Sequence, residues 1–514
     1  MKGKWRIAPA VLAAALILGA RWWRHAHEDG AAVERGPVAV QVAPDALRLG
    51  TLTFKACQLA QKHSGATTAA YCASYEVPEN RDAPQGRRIA LKLALVKSDA
   101  AAADSDLVVF LAGGPGQSAI ESWPAVADAL ASLRKHRHLL LIDQRGTGGS
   151  NALSCKPARA DDQDEEPRID LERIRAETRE CLAEVAKKAD PRHYTTTDAV
   201  QDLEAVRQAL GAPRFDLVGV SYGTRVAQQY LMRHPDGVRS VVLDSVVPNE
   251  LALGEDFAQN LEAALKAQFA ACTATPACRQ RFGDPYATLY KLRDALRAQP
   301  QTVSYRDPVS YRPQSRTLGE FALASLVRMF AYAPETSALL PLTLDQAAQG
   351  HYGPLMGQVR LLRGDLAETM TGGMQLSVIC AEDVDLLRDR PQDQDTLLGD
   401  LIVPAFKAEC DVWPRGARPA DFHAPLRSDK PVLLLEGELD PVTPPRYGEQ
   451  VLRGLPNGRL LLAKGQGHNV IGRGCMPRLV GEFVDKLDAK ALDASCLDAL
   501  APLPAFTDFN GAAP

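Results

Sequence analysis

Ser221 stands in Gly219-Val220-Ser221-Tyr222-Gly223, a G-x-S-x-G pattern set where the apolar run Phe215 to Val220 gives way to the helical pattern "TRVAQQYLMRHP". On such a strand-to-helix turn a serine presents its hydroxyl at the top of a sheet, and the flanking glycines remove side chains that would collide with strand and helix. A serine hydroxyl is a poor nucleophile at neutral pH, so the chemistry needs a histidine base that is itself oriented by a carboxylate. In this arrangement the partners follow in the order serine, acid, histidine, each just past the end of a core strand. Asp440 closes "PVLLLEGELD" at its carboxyl end, and His468 follows "GRLLLAKGQG" in a glycine-flanked loop. Glu436 and Glu438 lie in or beside the same strand, but Asp440 is the carboxylate at the loop. His25 and His27 follow the N-terminal apolar run, His136 and His138 precede the nucleophile, and His423 precedes the acid, so His468 alone has the required position and context. The chemistry of such a set is acyl transfer.

A tetrahedral intermediate also needs donors for its oxyanion. The amide of Tyr222, which follows the nucleophile, is one; the other is expected from "FLAGGPGQS", with the Gly114 amide favoured and Gly113 as the alternative. This loop lacks the GxxxxGK[ST] pattern and the spacing of a dinucleotide fingerprint, so phosphate binding is a poor reading of it. No cofactor is called for, and no CxxC or histidine cluster marks a metal site.

These residues require a rigid frame, and the sequence supplies one. Continuous apolar runs begin at Arg87, Asp106, His138, Phe215, Arg239, Pro431 and Gly458, separated by longer helical patterns. Strands buried on both faces have this composition, so the expected fold class is α/β: a mostly parallel sheet with helices on both faces. Few such runs occur between Arg239 and Pro431, where "EDFAQNLEAALKAQFAACTA" and "GEFALASLVRMFAYA" read as helices of a large inserted cap. The expected organisation is an export segment over 1–20, a linker over 21–50, core over 51–248, helical cap over 249–400 and core again over 401–514.

In all, 514 residues with 59 Lys+Arg against 63 Asp+Glu give a net charge of -4 and no long basic run, which excludes nucleic acid as the natural partner. Lys2, Lys4 and Arg6 precede an apolar run, Ile7 to Ala20, that is shorter than the roughly 20 residues a bilayer core needs and ends in small residues, the form of an export signal. Trp22 and Trp23 would hold the segment at an interface if it were retained, the one route to a membrane. The ten cysteines fall as five neighbouring couples: Cys57 and Cys72, Cys155 and Cys181, Cys272 and Cys278, Cys380 and Cys410, Cys475 and Cys496. Short loops close at the least entropic cost, so sequential disulfides are expected in an exported chain. The charged segment between Cys155 and Cys181 reads as a solvated surface.

Together, "GGPGQS", "LLLIDQRGTGGS", "LVGVSYGTRVAQQYL", "GELDPVTPP" and "GQGHNV" resemble the secreted tripeptidyl and prolyl aminopeptidase branch of the α/β-hydrolase fold, over about Leu52 to Cys496. The resemblance implies Ser221 as nucleophile, Asp440 as orienting acid and His468 as general base, acting on a peptide substrate. It also implies that acidic groups in or under the cap hold the substrate's free amino terminus, for which "CAEDVD" offers Glu382 and Asp383. Ala112 stands where many prolyl aminopeptidases have histidine, and Val220 and Thr224 where they often have glycine; these departures weigh against a strict proline preference. Thr443 of "DPVT" is placed to brace the Asp440 loop through its hydroxyl or simply to turn the chain.

Overall fold

In the computed structural model the apolar runs that begin at Asp106, His138, Phe215 and Pro431 form strands buried throughout, and those at Arg87, Arg239 and Gly458 form strands with half-buried or exposed positions. The structure describes residues 39–60, 67–100, 106–155 and 170–511; the segment read as an export signal and most of the charged stretch after Cys155 lie outside them. Among the described residues thirteen strands run in chain order: β1 (Val40–Ala43), β2 (Ala46–Leu49), β3 (Leu52–Ala60), β4 (Thr67–Pro78), β5 (Arg88–Val96), β6 (Leu107–Leu111), β7 (His138–Ile142), β8 (Phe215–Val220), β9 (Val238–Asp244), β10 (Gln301–Arg306), β11 (Pro313–Leu318), β12 (Val432–Gly437) and β13 (Gly458–Ala463). Eleven form one sheet in the order β1-β2-β3-β4-β5-β7-β6-β8-β9-β12-β13.

From β7 to β13 every pairing is parallel, and this half carries the candidate site. From β1 to β7 the pairings are antiparallel, so the sheet is mixed. β1 and β2 fall inside the 21–50 segment read as linker. They are short, with β1 on the sheet's edge and largely exposed, and a strand of that kind needs no apolar run to announce it. The long strands β3 and β4 escaped the sequence for a related reason: polar side chains alternate with buried ones, as in a sheet covered on one face.

Alternation along β6 shows how the layers form. Leu107, Val109 and Leu111 join one apolar cluster, while Val108 and Phe110 join the cluster on the opposite face. Between β9 and β12 the chain builds a third core of its own, from Leu261 to Val359 with Leu397. Helices Phe257–Ala274, Pro285–Ala298, Glu320–Phe330, Leu340–Ala348 and Gly353–Thr369 belong to this insertion, together with a hairpin of β10 and β11 that the helical reading did not include. The helix Gly372–Glu382 lies outside it. Met374, Val378 and Ile379 of the helix Gly372–Glu382, with Val403, Cys410 and Trp413, pack into the main core.

Candidate active site

Ser221 leaves β8 at φ 55° and ψ −123° and opens the helix Tyr222–Arg233. That left-handed backbone is costly for a residue with a Cβ, and it is held from outside. The Ser221 amide donates to the Asp244 carbonyl at 2.8 Å, while its carbonyl accepts from the Thr224 amide at 2.9 Å and the Thr224 hydroxyl at 2.6 Å. Thr224 Oγ1 in turn accepts from the Val247 amide at 2.8 Å, which gives the threonine a task that a glycine could not perform. The glycines are demanded by space: a Cβ on Gly223 would lie 2.2 Å from the Leu111 carbonyl oxygen, and one on Gly219 would lie 2.4 Å from that of Gly223. A serine at a helix N-cap ordinarily spends its hydroxyl on the first turn. Ser221 makes no such bond and is partly exposed.

His468 and Asp440 are brought together as the sequence order requires. Imidazole Nδ1 lies 2.7 Å from Asp440 Oδ2. The same carboxylate accepts the Val442 and Thr443 amides on Oδ1, each at 2.8 Å, and the Thr443 hydroxyl on Oδ2 at 2.9 Å. Thr443 Oγ1 also sits 3.3 Å from His468 Nδ1, so it braces both partners. Burial disfavours charge on the ring, but the Asp440 carboxylate outweighs it and holds the imidazole pKa above its usual 6.5. The His468 amide donates to the Tyr332 carbonyl at 2.7 Å, and the Tyr332 ring packs edge-on at 5.1 Å, so the cap insertion contributes to the seat of the histidine.

One residue that the sequence left unnoticed ties these pieces to each other. Asp244, at the end of β9, takes the Ser221 amide on its carbonyl and the Val470 and Ile471 amides on its carboxylate, at 2.9 and 3.0 Å. Its neighbour Ser245 takes the Asn469 amide at 2.8 Å. The elbow and the histidine loop are thus hung from one strand end. Burial raises the Asp244 carboxyl to about 6. Glu436 of β12 is also fully buried and held well above the usual carboxylate range by burial and the Asp440 charge. It accepts from the Val246 amide and serves the frame.

The glycine loop lies against the serine. A Cβ built on Gly113 would come 3.1 Å from that of Ser221, and the exposed Gly114 stands beside it at φ 110°. The Tyr222 amide, first of its helix, has no intrahelical acceptor and is available to a ligand. The "DQRGTG" motif fixes this loop: Asp143 Oδ1 accepts the Ser118 hydroxyl at 2.6 Å and the Ile120 amide at 3.0 Å, and Oδ2 accepts the Gly149 amide at 2.9 Å. Arg145, fully buried, forms a two-toothed pair with Asp202 at 2.6 and 2.7 Å. Gln144 donates to the Tyr222 hydroxyl at 3.2 Å.

Glu382 and Asp383 are close to this network but closed off from solvent. Asp383 pairs with Arg225 at 3.0 and 3.1 Å. Glu382 accepts the Thr196 amide at 2.6 Å and meets its hydroxyl at 2.9 Å, and that hydroxyl lies 2.6 Å from the Tyr222 hydroxyl. Burial and the Asp383 charge push Glu382 up to about 8. A group that receives a substrate amine must face an opening; these two carboxylates face protein partners, and they brace the elbow from beneath. All ten cysteines are joined in the five sequential couples, and no group of metal-ligating side chains occurs among the described residues.

The profile of the alpha/beta hydrolase fold family matches residues 106–473, from the start of β6 to just beyond His468. The chain belongs to this family. Serine protease Hip1 of Mycobacterium tuberculosis is 26% identical over 451 residues, 81% of this chain and 85% of that protein. Tripeptidyl aminopeptidase of Streptomyces lividans is 24% identical over 470 residues, 84% of each. Carboxylesterase B of M. tuberculosis is 26% identical over 524 residues, 94% of this chain and 97% of that protein.

Proposed function

We propose that this hydrolase is an exported serine exopeptidase that removes di- or tripeptides from free N-termini. The observation that carries the reading is an imidazole oriented by Asp440 at 2.7 Å, in a loop fastened to the same strand end that supports the uncapped Ser221. In this reading His468 takes the proton from Ser221 Oγ as it attacks the scissile carbonyl, and the Tyr222 and Gly114 amides receive the oxyanion. His468 then protonates the leaving amine, and water, activated by the same imidazole, frees the N-terminal fragment from the acyl-enzyme. The names of the two peptidase relatives support this substrate class, and the cap over the site supports exopeptidase action. Five disulfides support an oxidising compartment, outside the cytosol. Hydrolysis of unblocked tripeptide amides is expected from the native protein and not from Ser221→Ala; equal turnover by the two proteins would remove the serine from the mechanism.

The relative named carboxylesterase favours a second reading, the same triad acting on esters. An esterase is indifferent to acetylation of a substrate amine, and an aminopeptidase is not.

A further inference from the structure

One cation of the insertion has no part in the chemistry described so far. Arg328 lies in the last turn of the helix Glu320–Phe330, four residues before the Tyr332 that seats His468. Its guanidinium stacks 4.5 Å from the centroid of the Phe257 ring. Phe257 begins the helix Phe257–Ala274, in which Asn260 donates to the Val442 carbonyl at 2.8 Å, within the loop that holds Asp440. Arg328 therefore belongs to the part of the insertion that closes over the acid and histidine loops, and its charge bears on the imidazole.

The side chain is only partly exposed, yet among the described residues no carboxylate forms an ion pair or hydrogen bond with it. Other partly buried arginines of the insertion, such as Arg293, Arg360 and Arg390, each have one: Asp294, Asp307 and Asp393. A guanidinium on an aromatic face with its donors unspent is a ready receptor for a carboxylate, which it grips in two-toothed fashion. Its side of the reaction follows from the histidine. The imidazole must reach the leaving nitrogen, so groups packed around it bound the leaving portion of the substrate, while the glycine loop bounds the acyl portion.

We infer that Arg328 is a specificity-determining residue that docks a carboxylate on the leaving-group side of the scissile bond, supplied by an acidic side chain or by the free C-terminus of a short peptide. This rests on the peptidase reading above. It is tested with peptides that share one acyl part and carry glutamate or glutamine as the leaving residue, each with a free or an amidated C-terminus. With native protein, kcat/KM for the charged peptides should exceed that for the neutral amide by about tenfold, the size of one charge-assisted hydrogen bond. In Arg328→Ala that ratio should fall to within about twofold of unity, with Arg328→Lys between the two. The source of the carboxylate is the one whose removal abolishes the preference. Melting temperatures show whether each variant is folded, and Arg328→Gln, which keeps the stem, reads the same ratio if alanine is not tolerated. A ratio that is unchanged in the folded variants, or absent from the native protein, overturns the inference alone. Failure of the native protein to cleave any of the peptides overturns the peptidase reading and this inference with it.

Discussion

At the residue scale, Asp440 differs from a merely buried carboxylate in what it holds. Four donors converge on it: two backbone amides, the Thr443 hydroxyl and His468. Asp440→Asn can still occupy this cradle but presents the ring with the wrong tautomer, and kcat should fall by about 10⁴-fold. Thr443→Val removes a single brace and should lower kcat by about tenfold. Because the folded His468 pKa lies above 6.5 and the base must be neutral, kcat/KM should rise with pH along a limb whose midpoint exceeds that value. A midpoint below it would contradict the electrostatics described for the pair. Glu382 sets a stability prediction of the opposite kind. Its folded pKa of about 8 exceeds its ordinary 4.5, so the folded state binds the proton more tightly and stability falls as pH rises through that window. Glu382→Gln retains a donor and an acceptor for Thr196 and should lose much of that fall, read as melting temperature at pH 5 and pH 9.

At the element scale, the elbow works because β6, β8 and the helix Tyr222–Arg233 approach to backbone contact. Gly223→Ala would force a methyl group onto the Leu111 carbonyl and should cost about 3 kcal/mol or prevent folding, measured by urea denaturation. This crowding is also why Ser221, Asp440 and His468 were legible in the sequence. Each ends a continuous apolar run, and glycine punctuates the two turns where the chain comes closest to its neighbours. Asp244 was not legible, since its carboxylate bonds residues more than two hundred positions away and leaves no local pattern. The partners of Glu382 and Asp383 were not legible for the same reason: Arg225 and Thr196, far off in sequence, take both carboxylates inside. Strands β3 and β4 were missed because one-sided burial leaves an interrupted hydrophobic signal, whereas β6 and β8 announced themselves.

At the scale of the whole molecule, two apolar layers enclose the sheet, a third core supports the insertion, and five short-range disulfides clip the chain. They close separations of 15, 26, 6, 30 and 21 residues, so each adds about 2–4 kcal/mol in the chain-entropy account. Cys380–Cys410 joins the helix Gly372–Glu382 to the helix Ile402–Cys410, both on the main core. Replacing both cysteines with serine should lower the melting temperature by about 5 °C or more and should loosen the support of Glu382 beneath the elbow. The insertion reaches the histidine through Tyr332, which makes substrate choice a property of the assembled molecule. The proposed function makes Ser221 the nucleophile of a peptidase that needs a free amino terminus. Its most direct test compares kcat/KM of the native protein on a tripeptide amide and on the same amide with an acetylated amine. Rapid cleavage of the first and little of the second is expected; equal cleavage of both, or cleavage of neither, would contradict the proposed function.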